Sequence, residues 1–300
     1  MKRVLGVSCG TVNGNNEALL KEAMKAISAN CEAECVIVRL QEMLIKPCIG
    51  CQACIYTKLN GNYDFRCSTP VSKEHMYAFE QECRKADAII FSAPIYNMMP
   101  PGQLITLMNK LHATADYRFM VAENPKIGAC MGTGGSDWVN YMQPLMGYIA
   151  QEYVGGYHRL VDNFAQGYCA SVFLDDDLMA RAYKLGENVA DALNTGDTKW
   201  RGGDGLCPIC HENLIEQRAD GYFCPTCDVK FNVEIRDEKP VFVADAKSMA
   251  EHRFSPAGME THFGILAMGG MKQQEGMETI KAGHAKYDGN DLVVRFPPIE

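Results

Sequence analysis

A chain of 300 residues has room for one sizeable α/β core and something smaller beside it. Hydrophobic residues at 47% and charged residues at 22% exclude disorder, and no stretch reaches the ~20 apolar residues of a membrane span, so a cytoplasmic protein without membrane contacts is expected. A net charge of -8 with no long basic run excludes a broad nucleic-acid or anionic-membrane surface and leaves small molecules or redox proteins as partners.

Apolar β-type runs alternate with helical periodicity along the first two-thirds of the chain. Residues 3–8 (RVLGVS) precede a helical pattern over 16–29, ECVIVRL at 34–40 is a second strand, and a helix over 73–85 leads into DAIIFSA at 87–93. A helix over 101–115, KIGACMG at 126–132, a helix over 136–152, the run YVGGYHRLV at 153–161 and a helix over 175–194 complete the series. Apolar residues recur every three or four places in these helices, as at Leu20, Met24 and Ile27, so each has one face to lay on a sheet. Continuous apolar strands such as AIIF suit a parallel sheet covered on both faces. The expected fold class is therefore α/β, a doubly wound parallel sheet of five strands, whose ligands sit beyond the carboxyl ends of the strands.

Three loops follow strand ends. The first, SCGTVNGNNEALL, is rich in small polar residues: Ser8, Cys9, Thr11, Asn13, Asn15 and Asn16 lead into a helix start, which suits a phosphate seat or, equally, a plain βα turn capped by Asn15 or Asn16. The second, SAPIYNMMPPGQL, is stiffened by Pro94 and the Pro100–Pro101 pair; Ile95 and Tyr96 offer apolar and aromatic surface, and the amides of Asn97, Met98 and Met99 could meet a heteroaromatic edge. The third, MGTGGSDW, places Gly132, Thr133, Gly134, Gly135 and Ser136 where a backbone could approach a flat ligand closely; its spacing is not the dinucleotide fingerprint.

Fourteen cysteines in a reducing compartment favour metal or redox chemistry for those that cluster. Cys48, Cys51, Cys54 and Cys67 are spaced C-x2-C-x2-C-x12-C, which allows an iron–sulfur cluster, a tetrahedral zinc or packed free thiols. After the break NTGDTKWRGGDGLC, Cys207, Cys210, Cys224 and Cys227 form C-x2-C-x13-C-x2-C with Pro208 and Pro225 in matching positions, a pattern for one metal in a ribbon too small to build its own core. It resembles a zinc ribbon; rubredoxin-type iron is the rival, although His211 and Asp228 stand where rubredoxin knuckles usually carry glycine. The module's acids outnumber its bases, against nucleic-acid binding. Cys9, Cys31, Cys35, Cys83, Cys130 and Cys169 are scattered and read as small apolar side chains. The expected parts are residues 1–196, with a cysteine loop at 47–67; a ribbon at 200–236; and an extension at 237–300 with β-like runs PVFVADA and DLVVRFPPI around a Gly- and Met-rich middle.

NGNN in the first loop, APIYNMMPPGQL in the second, GTGGSD in the third and PCIGCQAC before the third strand together resemble the flavodoxin-like NADPH-dependent FMN reductases, and among them the iron–sulfur flavoproteins. The resemblance covers residues 1 to about 196. It departs in the phosphate loop, where Ser8, Cys9, Thr11 and Asn16 stand at the family's glycine, serine, arginine and threonine, removing a guanidinium and two hydroxyls. The resemblance implies that the first loop holds the FMN phosphate and the second and third frame its ring; no side chain is then needed as a general acid or base, although Tyr96 could donate to a substrate. It also implies a [4Fe-4S] cluster on Cys48, Cys51, Cys54 and Cys67, although the family's fourth cysteine generally lies closer than Cys67. With Zn2+ (or Fe) in the ribbon, the expected function is electron transfer between NAD(P)H or ferredoxin and an acceptor, by a homodimer or homotetramer. The alternatives are a non-catalytic electron carrier or redox sensor docking through its ribbon, and a plain FMN reductase whose cysteine loop binds zinc.

Overall fold

The structure is a computed structural model and describes residues 1–51, 53–54, 67, 73–110, 121–167, 171–203, 205–288 and 294. Two compact units divide the chain, Met1–Ala250 and Glu251–Glu300. In the first, strands β1 (Lys2–Ser8), β2 (Ala33–Arg39), β3 (Ala88–Pro94), β4 (Ile127–Gly134) and β5 (Leu160–Gly167) form one parallel sheet in the order β2-β1-β3-β4-β5. This is the flavodoxin-like order, with its switch point between β1 and β3.

Helices α1 (Asn15–Asn30), α2 (Met76–Lys85), α3 (Gly102–Asn109), α4 (Met142–Val154) and α5 (Asp176–Thr195) follow the strands. The central strands β1, β3 and β4 are buried on both faces, their side chains alternating between the two. Ile90 joins Val4, Leu20, Met131, Val161, Leu185 and Val189 in the core under α1 and α5. Phe91, its neighbour on β3, points the other way, toward Tyr153 of α4, which meets Phe79 of α2 edge-on at 5.6 Å. Asp175 caps α5 by accepting from the Leu178 amide at 2.8 Å, Asp176 and Asp177 complement its dipole, and Gly196 ends it at φ 75°.

The expected fifth strand is displaced. Tyr153 and Val154 finish α4, Gly155 and Gly156 turn the chain at φ 97° and 123°, and β5 begins only at Leu160. A run of apolar residues is equally compatible with a buried helix end, and the Gly-Gly pair marks the boundary between the two.

Beyond Gly196 the chain forms an antiparallel sheet in the order β6 (Glu216–Arg218), β7 (Gly221–Phe223), β8 (Lys230–Arg236), β9 (Lys239–Ala244), closed by the short helix α6 (Ala246–Ala250). The expected PVFVADA run is thus β9, paired with β8 in the same sheet as the cysteine module. The second unit contains helices α7 (Pro256–Glu275) and α8 (Met277–Ala285). The Ser255 side chain caps α7 by accepting from the Gly258 amide. The second expected run, DLVVRFPPI, falls outside the described residues except for Val294, as does Cys169.

Helices α1 and α5 approach so closely that a Cβ at Gly186 would stand 2.1 Å from the Ala23 carbonyl oxygen. Gly186→Ala must force the two helices apart and is expected to destabilise the first unit by about 1–3 kcal/mol, read as a lower urea midpoint at unchanged m.

Candidate functional site: four strand ends and a remote cysteine quartet

The sheet's register brings Ser8 beside Ser92, Pro94 beside Thr133 and Gly134 beside Gly167, so the expected loops leave one edge together. In the first loop Gly14, rather than an asparagine, occupies the N-cap, and its amide donates to the Thr11 carbonyl at 2.9 Å. Asn16 lies inside the first helical turn, while Asn15 accepts through Oδ1 from the Val172 amide and so ties the segment after β5 to this loop. Asn13 is left-handed at φ 57°. Its amide donates to Glu17, whose side chain is fully buried and receives Arg39 through Nε at 2.8 Å and a terminal nitrogen at 2.9 Å, with Lys21 at 2.6 Å. The Arg39 guanidinium, aided by Lys21 and the Asn13 amide, holds the Glu17 carboxyl down at about 2. Cys9 is buried, and that burial raises its thiol well above the ordinary range.

In the second loop the Tyr96 and Met99 backbones pair with each other at 2.9 and 3.1 Å around Asn97 at φ 49° and Met98 at φ 73°. Two successive left-handed residues make this a mirror-image turn of the kind that glycine and asparagine favour, so Met98 is strained. The Met99 amide is consumed by that turn and is not available to a ligand, in contrast to the expectation; those of Asn97 and Met98 make no bond among the described residues. The Met98 carbonyl accepts from the Tyr141 amide, joining the second loop to the third.

The third loop proves to be largely strand. Gly132, Thr133 and Gly134 end β4, and only Gly135 and Ser136 lie beyond it. A Cβ on Gly134 would lie 2.7 Å from that of Ile95, and one on Gly167 only 1.8 Å from the Ser136 carbonyl oxygen. Sequence reading passed over Trp138, Tyr141, Phe173 and Leu174, which with Tyr96 put exposed apolar side chains on these same loops; Trp138 is 63% and Tyr96 55% exposed. A tryptophan directly after the Gly-Gly-Ser-Asp run was the signal available.

The cysteine loop leaves the same edge of the sheet after β2. Its base is pinned by the His75 ring accepting the Leu44 amide at 2.8 Å, and by Glu74 accepting the Lys46 amide while ion-paired with buried Lys110. Cys48 and Cys51 are exposed, Cys54 and Cys67 partly so. Among the described residues they do not form a group whose ligand atoms all lie within 4.8 Å of one another. Among the described residues, the cysteines at 207, 210, 224 and 227 are the only such set whose ligand atoms all lie within 4.8 Å of one another.

All four are buried. His211 and Asp228 follow the second cysteine of each knuckle at φ 60° and 65°, the left-handed backbone that glycine supplies elsewhere. Their side chains are anchored instead: His211 stacks on Trp200 at 4.2 Å, and Asp228 pairs with Arg218 at 2.6 Å. The Arg201 amide donates to Val161 at the start of β5, and Glu212 and Cys210 neighbour Tyr157, whose hydroxyl is pushed well up mainly by burial. The quartet therefore sits at the amino-terminal end of β5, roughly 20 Å along the strand from the loops at its other end.

Residues 2–147 match the family model of NADPH-dependent FMN reductases. Over 316 aligned positions, covering 92% of each chain, the sequence is 29% identical to the flavone synthase cfoJ of Aspergillus candidus. A solved structure titled flavone reductase superposes with a TM-score of 0.79 at 22% identity, covering 99% of this chain and 100% of that one. FMN suits the residues present: Ser8 Oγ, Asn16 Oδ1 and Thr133 Oγ1 are buried without a hydrogen-bond partner at the ends of β1 and β4 and the start of α1. No helix among the described residues is long and apolar enough to cross a membrane.

Gly167→Ala should displace the Ser136 backbone and weaken FMN binding, measured by flavin fluorescence, with far-ultraviolet circular dichroism unchanged. Because Glu17 has a depressed carboxyl, its stabilisation is complete above the unfolded value of about 4.3 and is lost as pH falls toward 2. Urea midpoints measured from pH 6 to 2.5 should therefore fall less steeply in Glu17→Gln than in the parent chain.

Proposed function

For this chain, a flavin-dependent oxidoreductase whose residues 2–147 match the NADPH-dependent FMN reductases, we propose that the acceptor is a flat conjugated ketone of the flavone class. The observation that carries this reading is end-to-end alignment. Flavone synthase cfoJ aligns over 92% of this chain, well past the stretch shared with FMN reductases in general, and flavone reductase spans 99% of it. The exposed aromatics on the loops fit the same class, since Trp138, Tyr141 and Tyr96 offer π-faces to a fused-ring ligand.

Bound FMN would supply two-electron chemistry, taking hydride from reduced nicotinamide and returning it to the substrate. The chain's own part is placement. Ser8, Asn16 and the first turn of α1 hold the phosphate end, while Ile95, the Asn97 and Met98 amides and Gly134 frame the ring. Reduction of the double bond conjugated to the ketone adds hydride at its β-carbon and a proton at its α-carbon. In this reading the Tyr96 hydroxyl, exposed on the ring loop, would deliver or relay that proton.

The cysteine quartet is assigned to structural zinc. Four buried thiols at one point supply the usual tetrahedral set, and their place at the far end of β5 separates them from the flavin edge. Electron counts do not require an iron–sulfur cluster on Cys48, Cys51, Cys54 and Cys67, because hydride transfer moves both electrons together. Metal and sulfide analysis after anaerobic purification should give about one zinc and no sulfide per chain, with zinc lost in Cys224→Ser. About four iron and four sulfide would instead establish the cluster.

Steady-state turnover tests the substrate. With FMN bound and oxygen excluded, NADPH or NADH oxidation should depend on added flavone, and Trp138→Ala should raise KM roughly tenfold with a smaller change in kcat. Nicotinamide oxidation that proceeds only with free flavin or oxygen, leaving flavone intact, would return the chain to the plain FMN reductases.

A further inference from the structure

We propose that Arg39 is the residue that makes the first loop acceptable to a phosphate dianion, acting as a positioning residue through the buried carboxylate of Glu17; this rests on the FMN reading above. Glu17 stands in the first turn of α1, at the helix end where a phosphate is expected, and its side chain is completely buried. A bare carboxylate there would oppose the phosphate within the same low-dielectric pocket, where like charges repel strongly.

The structure answers that conflict with two cations and one amide. Arg39 grips both carboxylate oxygens, Oε2 from its Nε and Oε1 from a terminal nitrogen. Lys21 adds an ion pair at 2.6 Å and reaches the Asn13 side chain at 3.4 Å. Arg39 also pairs with Glu42 at 3.1 Å, so Glu17 and Glu42 at -1 each and Arg39 and Lys21 at +1 each sum to zero, and the buried carboxylate beside the seat is neutralised. The Glu17 carboxylate also accepts the Asn13 amide at 3.2 Å, which fixes Asn13 in its left-handed conformation and sets the path of the loop. Arg39 reaches this position because it ends β2, in register with Ser8 at the end of β1. Ser8 and Asn16, each at least nine-tenths buried, leave Oγ and Oδ1 unpartnered at the same place, an independent sign that a ligand completes the seat.

A role toward phosphate separates FMN from riboflavin, which has the same ring and no phosphate. Affinities of both ligands are measured by flavin fluorescence titration for the full-length parent, Arg39→Gln, Glu17→Gln and the double variant. Arg39→Gln should weaken FMN about tenfold, the scale of one charge-assisted hydrogen bond, and riboflavin by less than about twofold. The double variant should recover most of that loss, because the glutamine side chain replacing Glu17 keeps an acceptor for the Asn13 amide without the charge. Should Arg39→Gln fail to fold, Glu17→Gln alone decides: its preference for FMN over riboflavin should equal or exceed the parent's. Equal weakening of both ligands, absence of recovery in the double variant, or a reduced FMN preference in Glu17→Gln would overturn the proposal. A parent chain that binds neither flavin would overturn the FMN reading instead.

Discussion

Parallel register is the constraint on which the rest of the first unit depends. Because β1, β3, β4 and β5 run the same way and are paired in step, Ser8, Pro94, Gly134 and Gly167 reach one edge together, and every loop leaving that edge converges. The convergence is locked by contacts between loops of different origin: Asn15 with Val172, Met98 with Tyr141, and the close backbone approach of Ser136 to Gly167. Loops tied to one another in this way have less conformational freedom to lose when a ligand binds.

That edge carries an electrostatic compromise. Helix α1 directs its positive end at the seat, yet its first turn includes an acid, and the acid is tolerated only because Arg39 and Lys21 reach it from a strand end and the next helical turn. Glu17 thereby fixes the Asn13 backbone from inside the loop. A loop lacking the usual guanidinium and two hydroxyls can still be polar and rigid when its charge balance is set by a neighbouring strand.

Much of the architecture was legible because apolar periodicity is dictated by the sheet itself. AIIF at the centre of β3 and the three- and four-residue steps of α1 and α5 identify a buried parallel strand and two one-faced helices. The fifth strand was misplaced because Tyr153 and Val154 are as apolar as strand residues, and only the turn at Gly155 and Gly156 separates them from β5. The cysteine quartet was readable from spacing, whereas its place at the opposite end of the sheet from the loops was not, since Trp200, Arg201 and Tyr157 set it through tertiary contacts. The Glu17–Arg39 pair was likewise invisible, because residues 22 positions apart become neighbours only when β2 aligns with β1. Helix α7 escaped notice because none of its residues is buried, so no single apolar stripe marks it.

The central claim is that the loops at this one edge hold FMN and present it to a flavone. A single-turnover experiment reads that directly: protein loaded with FMN is reduced by one equivalent of NADPH without oxygen and then mixed with flavone. The expected result is return of the oxidised flavin spectrum in step with loss of flavone, one for one. A flavin that stays reduced in the presence of flavone and recovers its colour only when air is admitted would contradict it.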